Sequence, residues 1–375
     1  MRWQYCARCS ALCIAVFSTV CSFPAGKTSG GLQSLLLADA LFLSGRLPRF
    51  LFATTNTGNV ISRYRVEPLS GYLTFLGTTP SGGTSPRGAS IDPTGRYLMV
   101  VNNGSTNVSS YSINRFDGQL TLVGNTASGI SPISAYFLPS GSFAYATDAG
   151  GAPYVMGYTM NSSTGVLTNF AVGATGLNVG RGAVSDSASR FLYVGDFSGN
   201  FVRSFTINAN GTLTSLNSVA TGVNPHSLAM HPGGQYLYAS LNSGSLVAFR
   251  VASDGTISMT ATVAVSGTPQ TIAIDPLGRY VYLVNATGGV LYVFSIADPT
   301  SPVLLYTFVM GPQANAVRVD PSGRFVYILC GTGSNQIFAL YLDPFWGFSF
   351  LTALSTGSNA GAMEGIAIAS YSISE

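Results

Sequence analysis

The chain has 375 residues, of which 46% are apolar and only 8% charged, with a formal net charge of +3. That apolar fraction suffices for a large core, and so few charges leave Ser, Thr, Asn and Gly to solvate the surface. No basic run supplies the electrostatic footprint of a nucleic-acid binder, and the single lysine, Lys27, leaves everything after it without an amine nucleophile.

The N-terminal segment has its own character. Arg2 and Arg8 precede an apolar stretch, Ala11 to Phe23, with Val20 and Ser22 at the small-residue positions of a cleavage site. This pattern predicts a secretory signal peptide over residues 1–22, followed by a leader over 23–46 and a folded domain over 47–375. The stretch is too short to span a membrane, and no later run reaches that length, so the expected destination is the periplasm, the cell envelope or the medium. Cleavage before Cys21 would make a lipoprotein instead. Four of the five cysteines (Cys6, Cys9, Cys13 and Cys21) fall in this segment. Cys6-x2-Cys9 lacks a second pair or a nearby His, so no metal is expected. Cys330 reads as a buried apolar thiol.

From residue 47 onward one phrase recurs. Phe50, Tyr97, Phe143, Phe191, Tyr236, Tyr280 and Phe325 each open a short run of alternating apolar residues, 44 to 48 residues apart. A period near 45 with four short strands per unit is the signature of a propeller blade. The stretch Pro225 to Ala264 parses into strands over His226–His231, Tyr236–Leu241, Ser245–Val251 and Ile257–Val263, separated by Pro-Gly-Gly, Asn-Ser-Gly and Asp-Gly turns. The predicted fold is therefore an all-β, seven-bladed propeller with four antiparallel strands per blade. The first-strand phrase is missing before Phe50 and reappears as Glu364 to Ala369, so the C-terminal strand is expected to complete the N-terminal blade.

Two other phrases repeat and are read as structural. Asp-Pro-x-Gly-Arg occurs at Asp92, Asp275 and Asp320, where an Asp caps a turn, Pro fixes φ and Gly takes a positive φ. Gly-x-Leu-Thr (or its close variant) follows Gly71, Gly118, Gly165, Gly211 and Gly255 and is lost in the last two blades.

A site is expected where repetition fails. One column at the start of each innermost strand holds Arg87, Ile133, Arg181, His226, Gln270, Asn315 and Glu364. It is polar in all blades but one and differs nearly everywhere, as an asymmetric ligand requires. Within this column His226, Arg181 and Glu364 are the candidate catalytic residues, and Arg87, Gln270 and Asn315 candidate substrate contacts. The loops above carry Asn56, Asn102, Asn103, Asp148, Asp196, Asn242 and Asn285, of which the charged Asp148 and Asp196 are further candidate contacts. No cofactor or metal is expected, and a monomer that takes a small molecule at its mouth is.

The Pro225-His-Ser to Tyr238 phrase, the Asp275 to Tyr282 phrase and the Gly-x-Leu-Thr strands resemble the seven-bladed propeller lactonases, the family of one type of 6-phosphogluconolactonase and of the carboxymuconate cyclases. The simpler phrases are also similar to surface-protein propeller repeats. The resemblance implies a lactone-hydrolysing site built from a His, with an Arg and a Glu from the next blade. His226 matches that His, whereas Gln270 and Ala286 stand at the Arg and Glu positions, and Arg87 keeps a Ser-Pro-Arg phrase in another blade. Two functions follow as expectations. One is an exported lactonase-like hydrolase, with His226 as base, Arg181 or Arg87 holding the anion and Glu364 sharing the proton. The other is a non-catalytic secreted or envelope propeller that binds a ligand or protein at the same mouth.

Overall fold

The computed structural model describes residues 49–56, 58–311, 313–331, 336–343, 347–355 and 363–369. The signal and leader readings, and the cysteines before Cys330, lie outside these. The described chain forms 28 strands in seven four-stranded antiparallel sheets. Among the described residues no helix is long and apolar enough to cross a membrane.

The blade around His226 shows the plan. Its strands are β16 (Pro225–Met230), β17 (Tyr236–Leu241), β18 (Ser245–Val251) and β19 (Ile257–Ala264), hydrogen-bonded in that order. The first strand begins and ends one residue earlier than the sequence suggests. His231 has left it to hold the turn: its Nδ1 accepts from the Gly233 amide at 3.0 Å. Leu237, Tyr238 and Ala239 of β17 are fully buried because both sheet faces pack on neighbouring blades, while the outermost β19 is mostly exposed.

The repeated aromatic and the repeated glycine prove to be two halves of one contact. Gly118 lies on the ring of Phe50 in the preceding blade, Gly165 on Tyr97, Gly211 on Phe143, Gly255 on Phe191, and Gly71 on Phe325 across the point of closure. A Cβ at Gly118 would stand 2.5 Å from the Phe50 ring, and its φ of +70° already favours glycine. Blade after blade, a backbone edge is laid flat on an aromatic face. Where the glycine is lost, Tyr280 instead meets Phe348, edge to face at 5.8 Å.

The Asp-Pro-x-Gly-Arg carboxylates are turn caps. Asp275 accepts from the amides of Arg279 (2.5 Å) and Tyr280 (2.9 Å) and from Arg279 Nε (2.7 Å). Asp186, in an Asp-Ser-Ala-Ser-Arg sequence that lacks the motif, makes the same bonds to Arg190 and Phe191.

Closure follows the expected route. Strand β28 (Met363–Ala369) pairs with β1 (Arg49–Thr55), which continues through β2 (Val60–Val66) to β3 (Leu73–Pro80). The pairing runs from Phe50 opposite Ala369 to Thr55 opposite Met363. Arg49 also reaches the Asp320 carboxylate of the last blade at 2.5 Å.

Candidate functional site

The innermost strands are β28, β4 (Pro86–Ile91), β8 (Pro132–Phe137), β12 (Gly180–Ser185), β16, β20 (Pro269–Ile274) and β24 (Ala314–Val319). In every one, the pairing with the second strand slips at the same place. Pro225 faces Leu241 and Ser227 faces Ser240, which leaves His226 unpaired between them. Likewise Ile133 falls between Pro132 and Ser134, Asn315 between Ala314 and Ala316, and Glu364 between Met363 and Gly365. Arg87, Arg181 and Gln270 sit in the same gap. The variable column is thus a ring of β-bulges. A bulge turns one residue out of the ladder and re-aims its side chain, a device common beside active sites.

The bulged backbone is tied down by hydroxyls of the preceding blade. Thr54 donates to the Arg87 carbonyl (2.6 Å), Ser134 to that of Arg181 (3.3 Å), Ser240 to that of Gln270 (2.6 Å) and Thr271 to that of Asn315 (3.2 Å). The following residue is small where strands approach most closely: a Cβ on Gly88, Gly182 or Gly365 would come within 2.1 to 2.8 Å of a neighbouring backbone. A fixed main chain therefore presents side chains that are free to differ.

Those side chains share one cavity of about 720 Å³ along the ring axis. Arg87, Ile133, Arg181, His226, Gln270 and Asn315 all line it. The Glu364 backbone holds the corresponding register in β28, and its side chain lies outside the described residues. Arg87, Arg181 and Arg318 are the Arg residues among the described lining.

One part of the cavity wall is a compact cluster. Arg181 Nη1 is 3.5 Å from His226 Nε2, and its guanidinium lies 4.7 Å over the Phe197 ring. Phe197 meets His226 edge to face at 6.1 Å. A guanidinium only donates, so this contact assigns a lone pair to Nε2 and the proton to Nδ1. Burial foremost, and then the charge of Arg181, pull the His226 ring down to about 3; the nearby Gln270 backbone acts in the opposite sense and Arg87 adds a smaller lowering effect. His226 is therefore neutral at ordinary pH. Its Nδ1, and Oδ1 of Asn242 on the same wall, are buried without hydrogen-bond partners in the structure. Such orphaned groups call for a water or a ligand.

Two sequence candidates are placed elsewhere. Asp148 accepts from the amides of Ser131 and Gly150 at 2.8 Å each, and Asp196 from those of Asn178, Val179 and Gly199 and from Arg203 Nε at 2.9 Å. Both are buried and neither lines the cavity; their charge is spent holding loops. The rim instead carries Phe197 and Asn242, each directly after a second strand. Asn242 is one of the loop residues that the sequence places above the column, whereas Phe197 is not among them. The signal was a second variable column, since Asn103, Ala149 and Ala286 stand at the same step. Among the described residues no group of His, Cys, Asp and Glu could hold a metal. Cys330 is buried, and burial raises its thiol to about 12.

Seven four-stranded sheets whose bulged innermost strands surround an axial cavity define a seven-bladed β-propeller. The sequence matches the family described as lactonase, 7-bladed beta-propeller, over residues 44–137 and 191–342, well over half of the chain. The protein belongs to that family. No curated protein matches the sequence. Among solved structures, a candidate 6-phosphogluconolactonase from Bacteroides uniformis superposes with a TM-score of 0.75 at 18% identity, over 86% of this chain and 99% of that one. A periplasmic gluconolactonase from Pseudomonas aeruginosa gives 0.74 at 18% identity, over 86% and 99%. At these identities the likeness concerns the fold.

Proposed function

We propose that the mouth binds and hydrolyses a small lactone of the sugar-acid type. The observation that carries this is the convergence of Arg181, Arg87 and a neutral His226 on one cavity, where His226 Nδ1 and Asn242 Oδ1 lack partners. In the proposed reaction a water oxygen bonds to the lactone carbonyl carbon, the ring C–O bond breaks, and the water proton passes by way of His226 to the leaving alkoxide, giving a hydroxy acid. Arg181 or Arg87 holds the developing oxyanion. Glu364 is assigned the sharing of that proton on the strength of its register alone.

A base held near 3 is weak, and the optimum for a general base lies near the working pH. An anionic group on the substrate, held between the two guanidiniums, would offset their part of the lowering, which is smaller than the part due to burial. That weakness, together with Gln270 and Ala286 at the family's Arg and Glu positions, favours a second reading: a propeller that binds a ligand or protein partner at the mouth without turnover. Export is part of both proposals and rests on the N-terminal pattern; sequencing the mature N-terminus tests it.

Lactone hydrolysis followed by proton release separates the two. Turnover by the wild type that is lost in His226→Ala and Arg181→Ala supports the hydrolase. Turnover that survives both substitutions overturns it, and saturable binding without turnover selects the second reading.

A further inference from the structure

The cavity has a second cationic level that the mouth chemistry does not use. Strand β24 places Asn315 in the bulged column and Arg318 three residues further on. At the usual rise of a strand, that is about 10 Å nearer the opposite end of the channel. Pro321, in the turn beyond, also lines the cavity, which therefore extends to this depth. The same level in other blades is mostly apolar or small: Val184, Ala229 and Ala273 line it, with Ser90 and Tyr136 as its other polar groups. Arg318 thus breaks the repeat a second time.

Its surroundings do not account for its charge. One hydrogen bond is seen, from Nη1 to the Val317 carbonyl at 2.9 Å, which uses one of five donors. No carboxylate among the described residues pairs with it, and burial alone lowers its pKa. Arg318 is only part-buried in the cavity wall, and a guanidinium with so few protein partners is a ready anchor for an oxyanion, which accepts its charge-assisted hydrogen bonds. Here the side chain faces an open cavity in which an oxyanion has room.

We propose that Arg318 anchors a lower oxyanion subsite for a carboxylate or phosphate, so that the channel accepts elongated ligands with an anionic group at each end. One end would sit at Arg87 and Arg181, the other at Arg318. The proposal adds the far end of the ligand to the mouth function proposed above and rests on that reading only for the near end.

The first test is a titration with inorganic phosphate at constant ionic strength, followed by calorimetry. With the mouth disabled by Arg87→Gln and Arg181→Gln, phosphate should still bind. Adding Arg318→Gln should weaken that binding at least tenfold, and Arg318→Lys should restore part of it. Near-ultraviolet circular dichroism confirms that each variant is folded; should the triple variant fail to fold, the single Arg318→Gln variant is titrated against the wild type. Unchanged phosphate affinity on losing Arg318, or no phosphate binding by any variant, overturns the subsite. The second test distinguishes a free anion from the end of a longer ligand. A linear dicarboxylate just long enough to span both levels should bind at least tenfold more tightly than a monocarboxylate of equal length, and should lose that advantage in Arg318→Gln. Equal affinities would overturn the two-ended ligand and leave a site for a free anion. Neither test requires turnover, so failure of the hydrolase reading leaves both decisive.

Discussion

The belt where glycine meets aromatic and the ring of bulges at the mouth are built by the same seven blades, yet they follow opposite rules. In the belt each blade repeats its neighbour, because every interface needs a flat ring on a backbone without a Cβ. At the mouth the backbone repeats and the side chains do not. Slipped pairing, hydroxyl anchors from the preceding blade and small following residues make the main chain indifferent to what each bulge carries. Interface packing and side-chain variety are thereby placed on separate residues of one repeat.

This contrast can be broken or sharpened by experiment. The largest effect is expected from removing β28, by ending the chain at Ser355. That leaves three strands in the first blade and an open seam, and should cost more than the about 5–15 kcal/mol that holds an ordinary domain together. Loss of soluble, cooperatively melting protein is the expected outcome; an unchanged melting curve would refute closure by this strand.

Next comes the belt. Gly118→Val forces a β-branched residue into a positive φ and against the Phe50 ring. Strain of about 1–2 kcal/mol and overpacking of about 1–3 kcal/mol predict a loss of roughly 2–5 kcal/mol in denaturant unfolding. A loss under about 0.5 kcal/mol would mean that the blades can shift apart.

The mouth should behave in reverse. His226→Ala and Arg181→Ala are expected to lower lactone turnover by at least about 10²-fold with little loss of stability. Large destabilisation by either would place the column with the belt.

A smaller effect concerns pH. His226 has its folded pKa lowered to about 3 from 6.5. Between those values the unfolded chain binds the proton that the folded one refuses, so stability is present above about 6.5 and is lost progressively as the pH falls toward 3. The slope is at most about 1.4 kcal/mol per pH unit. Replacing His226 with Gln should flatten the pH dependence of melting in that window; an identical slope would show that the ring does not titrate as described. The smallest effect is expected for Gln270→Ala, within about 0.5 kcal/mol of the wild type.

Much of this architecture is legible in the sequence because turns and interfaces impose fixed chemistry. Asp275 and Gly278 announce a capped turn, and Phe50 recurring as Tyr97 announces a blade. Yet Asp186 caps an equivalent turn without the motif, since only its carboxylate position matters and Ser189 tolerates a φ of 57°. The mouth column was visible as a failure of repetition, but the bulge behind it was not, because a bulge has no residue preference of its own here. Asp148 and Asp196 misled because charge in a loop suggests a ligand, whereas three-dimensional proximity gives those oxygens to backbone amides. Phe197 escaped because an aromatic in a turn is ordinary until the neighbouring blade brings it beside His226.

The pairing of β1 with β28 also bears on the order of events in synthesis. The strand emerging from the ribosome after residue 48 must wait for residues 363–369 before its innermost partner exists. Until then its edge is open to other chains, and blades two to seven can stack only as an arc. Assembly of the native ring is therefore expected to follow synthesis of residues 363–369, which makes the interval before it the period when this protein is most exposed to mispairing.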